Sequence, residues 1–501
     1  MDRTSLSPAR LRGILAVMAI SLLAVISAVS GLNTALPELA TKTGASITQL
    51  QWIADAYTVV FAGMLLIAGA IGDRFGRKGI LQVGLTIFGV AAGFAFFTTD
   101  PTQIIIARAV MGFGAAGVMP TTLSVLTTVF PPEQRARAVG VWVGIAAGGG
   151  IIGLFVAGVL LQFFAWNSFF AFNVVMAIIA IVGASLIVPK NRDESRHGLD
   201  GFGAVLSLLT VGGLVFGIIE GPSRGWTDAG TLTALIVGVL AGVAFVLWEL
   251  RQKYPLLDPR LFKLRGLSTG TLSILLQFFT AFGFFFIGMQ YLQFIAGLTP
   301  LMAAVCLLPM PFFVIPISRV SAMIAERRGF GVVSPIGLVL MACGYLVFAT
   351  MGVDFQYWQL LIGIALFASG MGFAGPPATT AIISSLPREK QGVASAMNDT
   401  SREVGSALGI AVLGSILSQS YTDAMKPAVA GLPDAIANFV SSSIAWVNTD
   451  LVGKLGPAAP KLINTAKQAY VDGIHTAFWL SAAVLVIAAI FVAIRAPRRT
   501  K

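Results

Sequence analysis

Charge is what this 501-residue chain has least of: Asp, Glu, Lys and Arg make up 11% of it, against 56% apolar residues and a mean hydropathy of +0.86. A soluble domain carries about 25% charged residues, so this chain cannot clothe its own surface with polar groups, and lipid must cover it. Histidine and cysteine are nearly absent, with two of each. Cys306 and Cys343 lie inside apolar runs and read as buried free thiols, and neither His197 nor His475 has metal-ligand spacing. No disulfide, metal or cofactor is therefore expected. No G-x-x-x-x-G-K-[ST] phosphate loop occurs, and there is no soluble domain to house one. No A-x-A site follows the short basic lead 1–12, so the run Ile14–Leu36 reads as a membrane span rather than a cleaved signal. The net charge of +11 does not point to nucleic acid, because the basic residues sit in short loops and form no continuous stripe.

What the chain does have is long apolar runs. They predict fourteen transmembrane helices, near 12–36, 51–72, 79–98, 102–125, 138–161, 168–188, 202–220, 229–249, 268–291, 302–322, 333–351, 357–384, 399–420 and 474–494. Fourteen helices of about 21 residues would use about three-fifths of the chain, in line with its apolar share. An even count puts both termini on one side. With that side inside, 24 of the 33 Lys and Arg fall in inside segments, six in outside loops and three within spans. The positive-inside rule then makes both termini cytoplasmic, in an inner (plasma) membrane. The segment 421–473 is expected outside, either as short amphipathic helices on the membrane face or as a disordered insertion.

A repeat runs through these spans. Asp73-Arg74-Phe75-Gly76 is echoed by Glu326-Arg327-Arg328-Gly329, and Met111-Gly112-Phe113 by Met371-Gly372-Phe373. Pro120-Thr121-Thr122 is loosely echoed by Pro377-Ala378-Thr379-Thr380, and the offsets stay in order. The expected organisation is a six-helix bundle over 12–190, an inserted two-helix hairpin over 200–250 and a second bundle over 266–494. A cytoplasmic N-terminus 1–12 and tail 495–501 flank them. Parallel repeats of this kind place a route at their interface, near the bilayer midplane.

The stretch Gly69-Ala-Ile-Gly72-Asp73-Arg74-Phe75-Gly76-Arg77-Lys78 resembles the G-x-L-x-D-R-x-G-R-[KR] signature of the major facilitator superfamily. Arg108-Ala-Val-Met-Gly112-Phe-Gly114-Ala-Ala resembles that superfamily's R-x-x-Q-G-x-G-A-A element, with Met111 in place of Gln. Asn33-Thr-Ala-Leu36-Pro37, Trp52-Ile-Ala-Asp55-Ala-Tyr57, Gly375-Pro376-Pro377 and Ser395 to Gly409 resemble its 14-span drug:proton antiporters of the EmrB/QacA type. The resemblance implies the major facilitator fold and a cytoplasmic latch over Gly69, Asp73, Arg74, Gly76 and Arg77. In that latch Asp73 meets the positive end of a helix from the other half. Two positions depart from the pattern: Ala28 stands where many members carry an acid, and Leu154 where the span-5 signature has proline. Gly144 and Gly148 to Gly150 still let that helix bend.

With Ala28 apolar, few membrane-embedded ionisable groups remain. Asp55 and Arg108 enter their spans from the same side at depths that differ by only about 3 Å. They are each other's best partners, as a proton-coupling pair or as a structural salt bridge; for Arg108, snorkelling to the outer interface is the other reading. Asp399 and Glu403 open span 13, where Asn398 reads as an N-cap and the acids suit the helix dipole; Glu403 is otherwise a second proton site and Asp399 a cavity residue. Asn33, Tyr57, Gln290 and Tyr291 are the other expected cavity residues, although polar groups in spans also serve as interhelical glue.

Without a phosphate loop, an ion gradient must supply the energy. The expected function is secondary export of amphipathic or hydrophobic compounds such as drugs, dyes or antibiotics by proton antiport. A lipid or cell-envelope metabolite exporter on the same scaffold is the alternative. An intramembrane enzyme would need a clustered His, Cys or acidic site, for which two histidines give no support. The expected partners are small amphipathic molecules, protons and the bilayer, with the protein acting as a monomer.

Overall fold

With no water in hydrocarbon to satisfy backbone N–H and C=O groups, the chain must make those bonds within each span, and it does so as helices throughout. The computed structural model describes residues 7–189, 200–253, 255–387, 391–430, 432–445 and 459–497, with residues 66, 69, 70, 72–75, 132, 136, 143, 147, 391, 392, 434–436 and 439 described in backbone only. The helices are α1 (Pro8–Thr43), α2 (Ile47–Phe75), α3 (Arg77–Phe97), α4 (Pro101–Val129), α5 (Pro132–Phe163), α6 (Ser168–Ile187), α7 (Gly201–Arg224) and α8 (Ala229–Glu249). They continue as α9 (Arg265–Gln290), α10 (Pro300–Leu307), α11 (Met310–Arg328), α12 (Phe330–Phe348), α13 (Tyr357–Ser384), α14 (Gln391–Met425), α15 (Asp434–Ser442) and α16 (Ala459–Arg495).

Local chemistry sets many of the ends. Asp100 accepts from the Thr102 and Gln103 amides and Pro101 opens α4, Asp228 caps α8, and Thr299 with Pro300 starts α10. Gly44 closes α1 in the left-handed region at φ 74°, and Gly76 makes the α2–α3 turn at φ 107°. Helices α10 and α11 together form one span broken before Pro309, and α9 runs on through a π turn at Tyr291–Ile295.

Among the described residues, twelve helices are long and apolar enough to cross a membrane, and α5 makes thirteen if its two parts are one span. Those parts, Glu133–Ala146 and Gly148–Phe163, meet at 47° beside the Gly148–Gly150 run. The chain is a multi-pass membrane protein. Large apolar side chains face outward along its flanks, as at Ile236, Leu240 and Val243 of α8, where lipid receives them.

Two expected boundaries shift. Span 13, read as 399–420, is α14 from Gln391 to Met425, and the last span, read as 474–494, starts at Ala459. The segment 421–473 is therefore partly the ends of these two helices. Their polar turns are stabilised by packing rather than by hydropathy: Tyr421 and Tyr470 are buried with ring centroids 6.3 Å apart. The short α15 sits on α14 through the Tyr421 hydroxyl, which donates to the Val440 carbonyl at 3.0 Å. Part of the expected insertion, 446–458, lies outside the described residues.

The helix contacts fall into two sets with one internal pattern. In α1–α6, α1 packs on α5 and α6, α2 on α4, α3 on α4 and α6; in the other set, α9 packs on α14 and α16, α11 on α13, α12 on α13 and α16. The same small-residue device recurs at the equivalent crossings. A Cβ on Gly114 would meet the Gly84 carbonyl at 2.6 Å, and one on Gly370 would meet the Gly337 carbonyl at 2.5 Å. Helices α7 and α8 pair with each other, and α7 lies on both α2 and α14.

Among the described residues, the hydrogen bonds that join the two sets lie at one end. At the end bearing the α1–α2 turn (distal), Gln293 Nε2 donates to the Thr34 carbonyl at 3.0 Å, and Gln51 Nε2 donates to the Ala411 carbonyl at 3.2 Å. A Cβ on Gly158 of α5 would lie 3.1 Å from Ala304 and Leu301 of α10. Toward the other (proximal) end, no described atom lies within 4 Å of a Cβ at Gly148, nor at Gly144 or Gly140 beyond the bend. Helix α5 is thus packed at Gly158 and uncovered at these three glycines.

Candidate functional site

A guanidinium in hydrocarbon requires partners, and Arg108 finds them in helix carbonyls rather than in an acid. It is fully buried, with Nε donating to the Ile53 carbonyl at 3.0 Å and an Nη to the Ala28 carbonyl at 2.9 Å. Its guanidinium lies 4.4 Å over the Tyr57 ring, and the Tyr57 hydroxyl donates to the Val25 carbonyl at 3.1 Å. The Arg108–Gly112 spacing makes this possible: a Cβ at Gly112 would run into the Tyr57 carbonyl, so α4 and α2 touch backbone to backbone. The Ala28 position thus contributes its carbonyl.

Asp55 is also fully buried, at the level of Arg108, yet the expected ion pair is not formed. Neither carboxylate oxygen has a hydrogen-bond partner, and none lies within 4 Å of an Arg108 nitrogen. The second Nη of Arg108 is likewise without a partner. The physical reason is competition: two helix carbonyls and an aromatic face already hold the guanidinium. Arg108 and Asp55 are thus neighbours without a bond between them: the guanidinium binds the Ile53 carbonyl, two residues before Asp55. Snorkelling of Arg108 to the interface is excluded by the same contacts.

The α14 acids come from the other set. Asp399 and Glu403 sit in the third and fourth turns of α14, so Asn398 is not an N-cap; its side chain instead accepts from Thr379 at 3.2 Å and donates to Asp399 at 3.3 Å. Gln51 of α2 sits opposite Ala411 of the antiparallel α14, so Glu403 lies about one turn closer to the proximal end than Asp55. Tyr57 packs within its own set, against Val25 of α1, Arg108 of α4 and Phe61 of α2. Glu403 and Asp399 are half-buried, unlike Asp55. Arg402 lies 5.1 Å over the Phe278 ring of α9.

The other expected residues are dispersed. Gln290 is buried and bonds its own helix at the Phe286 carbonyl, and Asn33 does the same at Val29 and Ser30, leaving Oδ1 without a partner. The Tyr291 hydroxyl donates to the Gly352 carbonyl at 2.7 Å, and its ring lines a small apolar pocket with Phe284, Leu292 and Phe478. Arg77 reaches the Ser124 carbonyl at 3.4 Å, and Lys78 binds the Ser185 and Val188 carbonyls at the end of α6. The side chains of Asp73 and Arg74 lie outside the described residues, and Gly69 is described in backbone only. Sequence reasoning missed Gln51, Glu220 and Ser415, which join α2, α7 and α14; their signal was three polar residues at the distal ends of predicted spans.

The Major Facilitator Superfamily model matches residues 18–410. The methylenomycin A resistance protein of Bacillus subtilis is 30% identical over 87% of this chain and 93% of its own length. The multidrug efflux pump LfrA of Mycolicibacterium smegmatis is 29% identical over 97% and 96%. In fold, the chain is similar to a bacterial homologue of the human lysosomal transporter Spinster, in an inward-facing and unoccupied conformation, with a TM-score of 0.68, 15% identity and 98% coverage of both chains. A buried arginine on helix carbonyls, a twofold helix pattern and a match across most of the sequence agree: the chain belongs to the Major Facilitator Superfamily.

Proposed function

We propose that this protein exports amphipathic or hydrophobic compounds, drugs and antibiotics among them, in exchange for protons by alternating access. The two helix sets are read as six-helix halves and α7–α8 as an inserted hairpin. Counting α2 and α5 with the twelve long apolar helices makes fourteen spans. The proximal end is assigned to the cytoplasm on the 24-to-6 split of basic residues, so the conformation described is open inward. The resistance and efflux functions of the relatives support a drug cargo.

The observation that carries the coupling is the set of unpartnered atoms shared by two opposite charges: both oxygens of Asp55 and one Nη of Arg108. A proton on Asp55 neutralises a carboxyl that has no donor. When the proton leaves, the carboxylate can turn to the free Nη, and α2 and α4 change their contact. Glu403, on α14 and less buried, is the group through which the proton meets the inward cavity and competes with a cationic cargo. Asn33, Tyr57, Gln290, Tyr291 and Asp399 contribute polar groups along that route. Asp73, with Gly69, Arg74, Gly76 and Arg77, latches the cytoplasmic side in the opposite, outward-open state.

Proteoliposomes with an acidic lumen test this, using ethidium, a neutral drug and a labelled phospholipid as cargo. The expected result is gradient-dependent uptake of ethidium and the neutral drug that stops when the gradient is collapsed. Uptake indifferent to the gradient would remove proton coupling. Gradient-driven movement of the phospholipid alone would replace drug export with lipid export.

A further inference from the structure

Helix α7 makes contacts that proton coupling does not use. It follows α2 from Leu208 to Glu220. A Cβ on Gly63 would lie 2.7 Å from Leu208, one on Gly212 would lie 3.7 Å from Val59, and Trp52 Nε1 donates to Glu220 at 2.7 Å. The Trp52 ring leans on Phe216 at 5.5 Å between centroids. Its grip on α14 is confined to the middle and distal part. Val215 and Ile219 pack with Ala407 and Ala411 in a small apolar cluster separate from the main core. The Ser415 hydroxyl donates to the Ile218 carbonyl at 2.8 Å and also accepts from Gln51 of α2 at 3.3 Å.

We infer that α7 is a clasp that moves with α2 and closes the distal gate by gripping α14 at Ser415, Ala407 and Ala411. The two sides of the clasp differ in kind. Toward α2 it has an interlocked surface along about four turns, including an indole–carboxylate hydrogen bond; Arg224 holds that carboxylate at 2.7 Å. Toward α14 it has Ala407 and Ala411 flanked by Val404 and Leu408, and one neutral hydroxyl, so only apolar packing and a single uncharged hydrogen bond have to part there. Opening the distal end must separate α2 from α14. The weak face therefore lets go while the strong face holds, which makes Trp52 and Glu220 positioning residues for the transport cycle. This rests on the alternating-access reading above.

Paired cysteines test it, in a chain carrying Cys306→Ala and Cys343→Ala, reconstituted in proteoliposomes with ethidium and an acidic lumen. The pair Ile218→Cys with Ser415→Cys bridges clasp and α14; the pair Val59→Cys with Gly212→Cys bridges clasp and α2. Reduced, both should transport, and failure of the reduced cysteine-free parent to transport counts against the functional reading alone. Oxidised, the 218–415 bridge should lower ethidium uptake at least tenfold, with recovery in dithiothreitol, whereas the 59–212 bridge should keep at least half the rate. The clasp is overturned if the 218–415 bridge fails to form, if it forms and leaves transport above half, or if the 59–212 bridge blocks transport equally.

Discussion

Helices α4 and α13 hold equivalent places in the two sets, and each carries a glycine at the same crossing. Gly112 abuts the Tyr57 carbonyl of α2, and a Cβ on Gly372 would lie 2.9 Å from the Val314 carbonyl of α11. One turn earlier they part company: α4 has Arg108 and α13 has Ala368, both fully buried. Around Arg108 the chain gathers carbonyls, a tyrosine ring and a nearby carboxyl. Beside Ala368 it gathers aromatic rings instead, with Phe367, Tyr345, Phe348, Phe284 and Phe478 in mutual contact. The duplicated device is the close helix crossing; the charge is placed once. Architecture and chemistry are thus separable in this protein, and mutations should separate them.

The largest effect is expected from Arg108→Ala. It strips the Ala28 and Ile53 carbonyls of their charged donor and the Tyr57 ring of its cation, at about 1.5–3 kcal/mol for each hydrogen bond to a charged group. Thermal unfolding in detergent should show the loss and gradient-driven transport should fall below a tenth. Arg108→Lys should recover part of the stability but not the rate, since one ammonium does not span two carbonyls as the planar fork does. Ala368→Ser, the matched change in the other set, should leave transport near the parent level. Equal effects at 108 and 368 would break the comparison.

Next comes Asp55→Asn, which keeps the shape and removes the titratable group. Uphill ethidium export should drop at least tenfold while counterflow exchange of ethidium stays within about threefold of the parent, the separation expected when coupling rather than binding is lost. If uphill export persists, the proton site lies elsewhere, and Glu403→Gln becomes the decisive variant.

Gly112→Ala and Gly372→Ala should each destabilise by about 1–3 kcal/mol through forced separation of a tight crossing. Similar losses in unfolding temperature would sharpen the view that this device is shared. A neutral result at either position would mean that the two crossings differ in packing as well as in charge. The smallest effect belongs to Asp73→Asn, expected to slow transport a fewfold at equal membrane abundance because it touches one conformational state only. An unchanged rate would remove the latch.

Much of the scaffold was legible before any coordinates. Hydropathy marked all the long helices, because a span in lipid must be apolar over about 20 residues whatever it packs against. The repeat offsets of Met111-Gly112-Phe113 and Met371-Gly372-Phe373 foretold the equivalence of α4 and α13. The depth of Asp55 against Arg108 followed from helix rise alone. Helix ends were less legible: α14 and α16 run past their apolar stretches because Tyr421 and Tyr470 pack on each other, and hydropathy does not register such contacts. The partners of Arg108 were not legible either, since backbone carbonyls carry no sequence signal.

The amino-acid sequence by itself determined that the chain lives in a membrane, that it crosses many times, and which few ionisable groups lie in its apolar runs. These follow from local properties, hydropathy and charge, summed along the chain. Only the tertiary structure decided that Arg108 rests on the Ala28 and Ile53 carbonyls instead of on Asp55, and that α7 lies across α2 and α14. It also decided that α5 is packed at Gly158 and uncovered at Gly140. The physical reason is that a buried charge takes whichever partner the fold brings within 3 Å, and in a helical bundle that choice belongs to the crossing geometry of segments far apart in the chain.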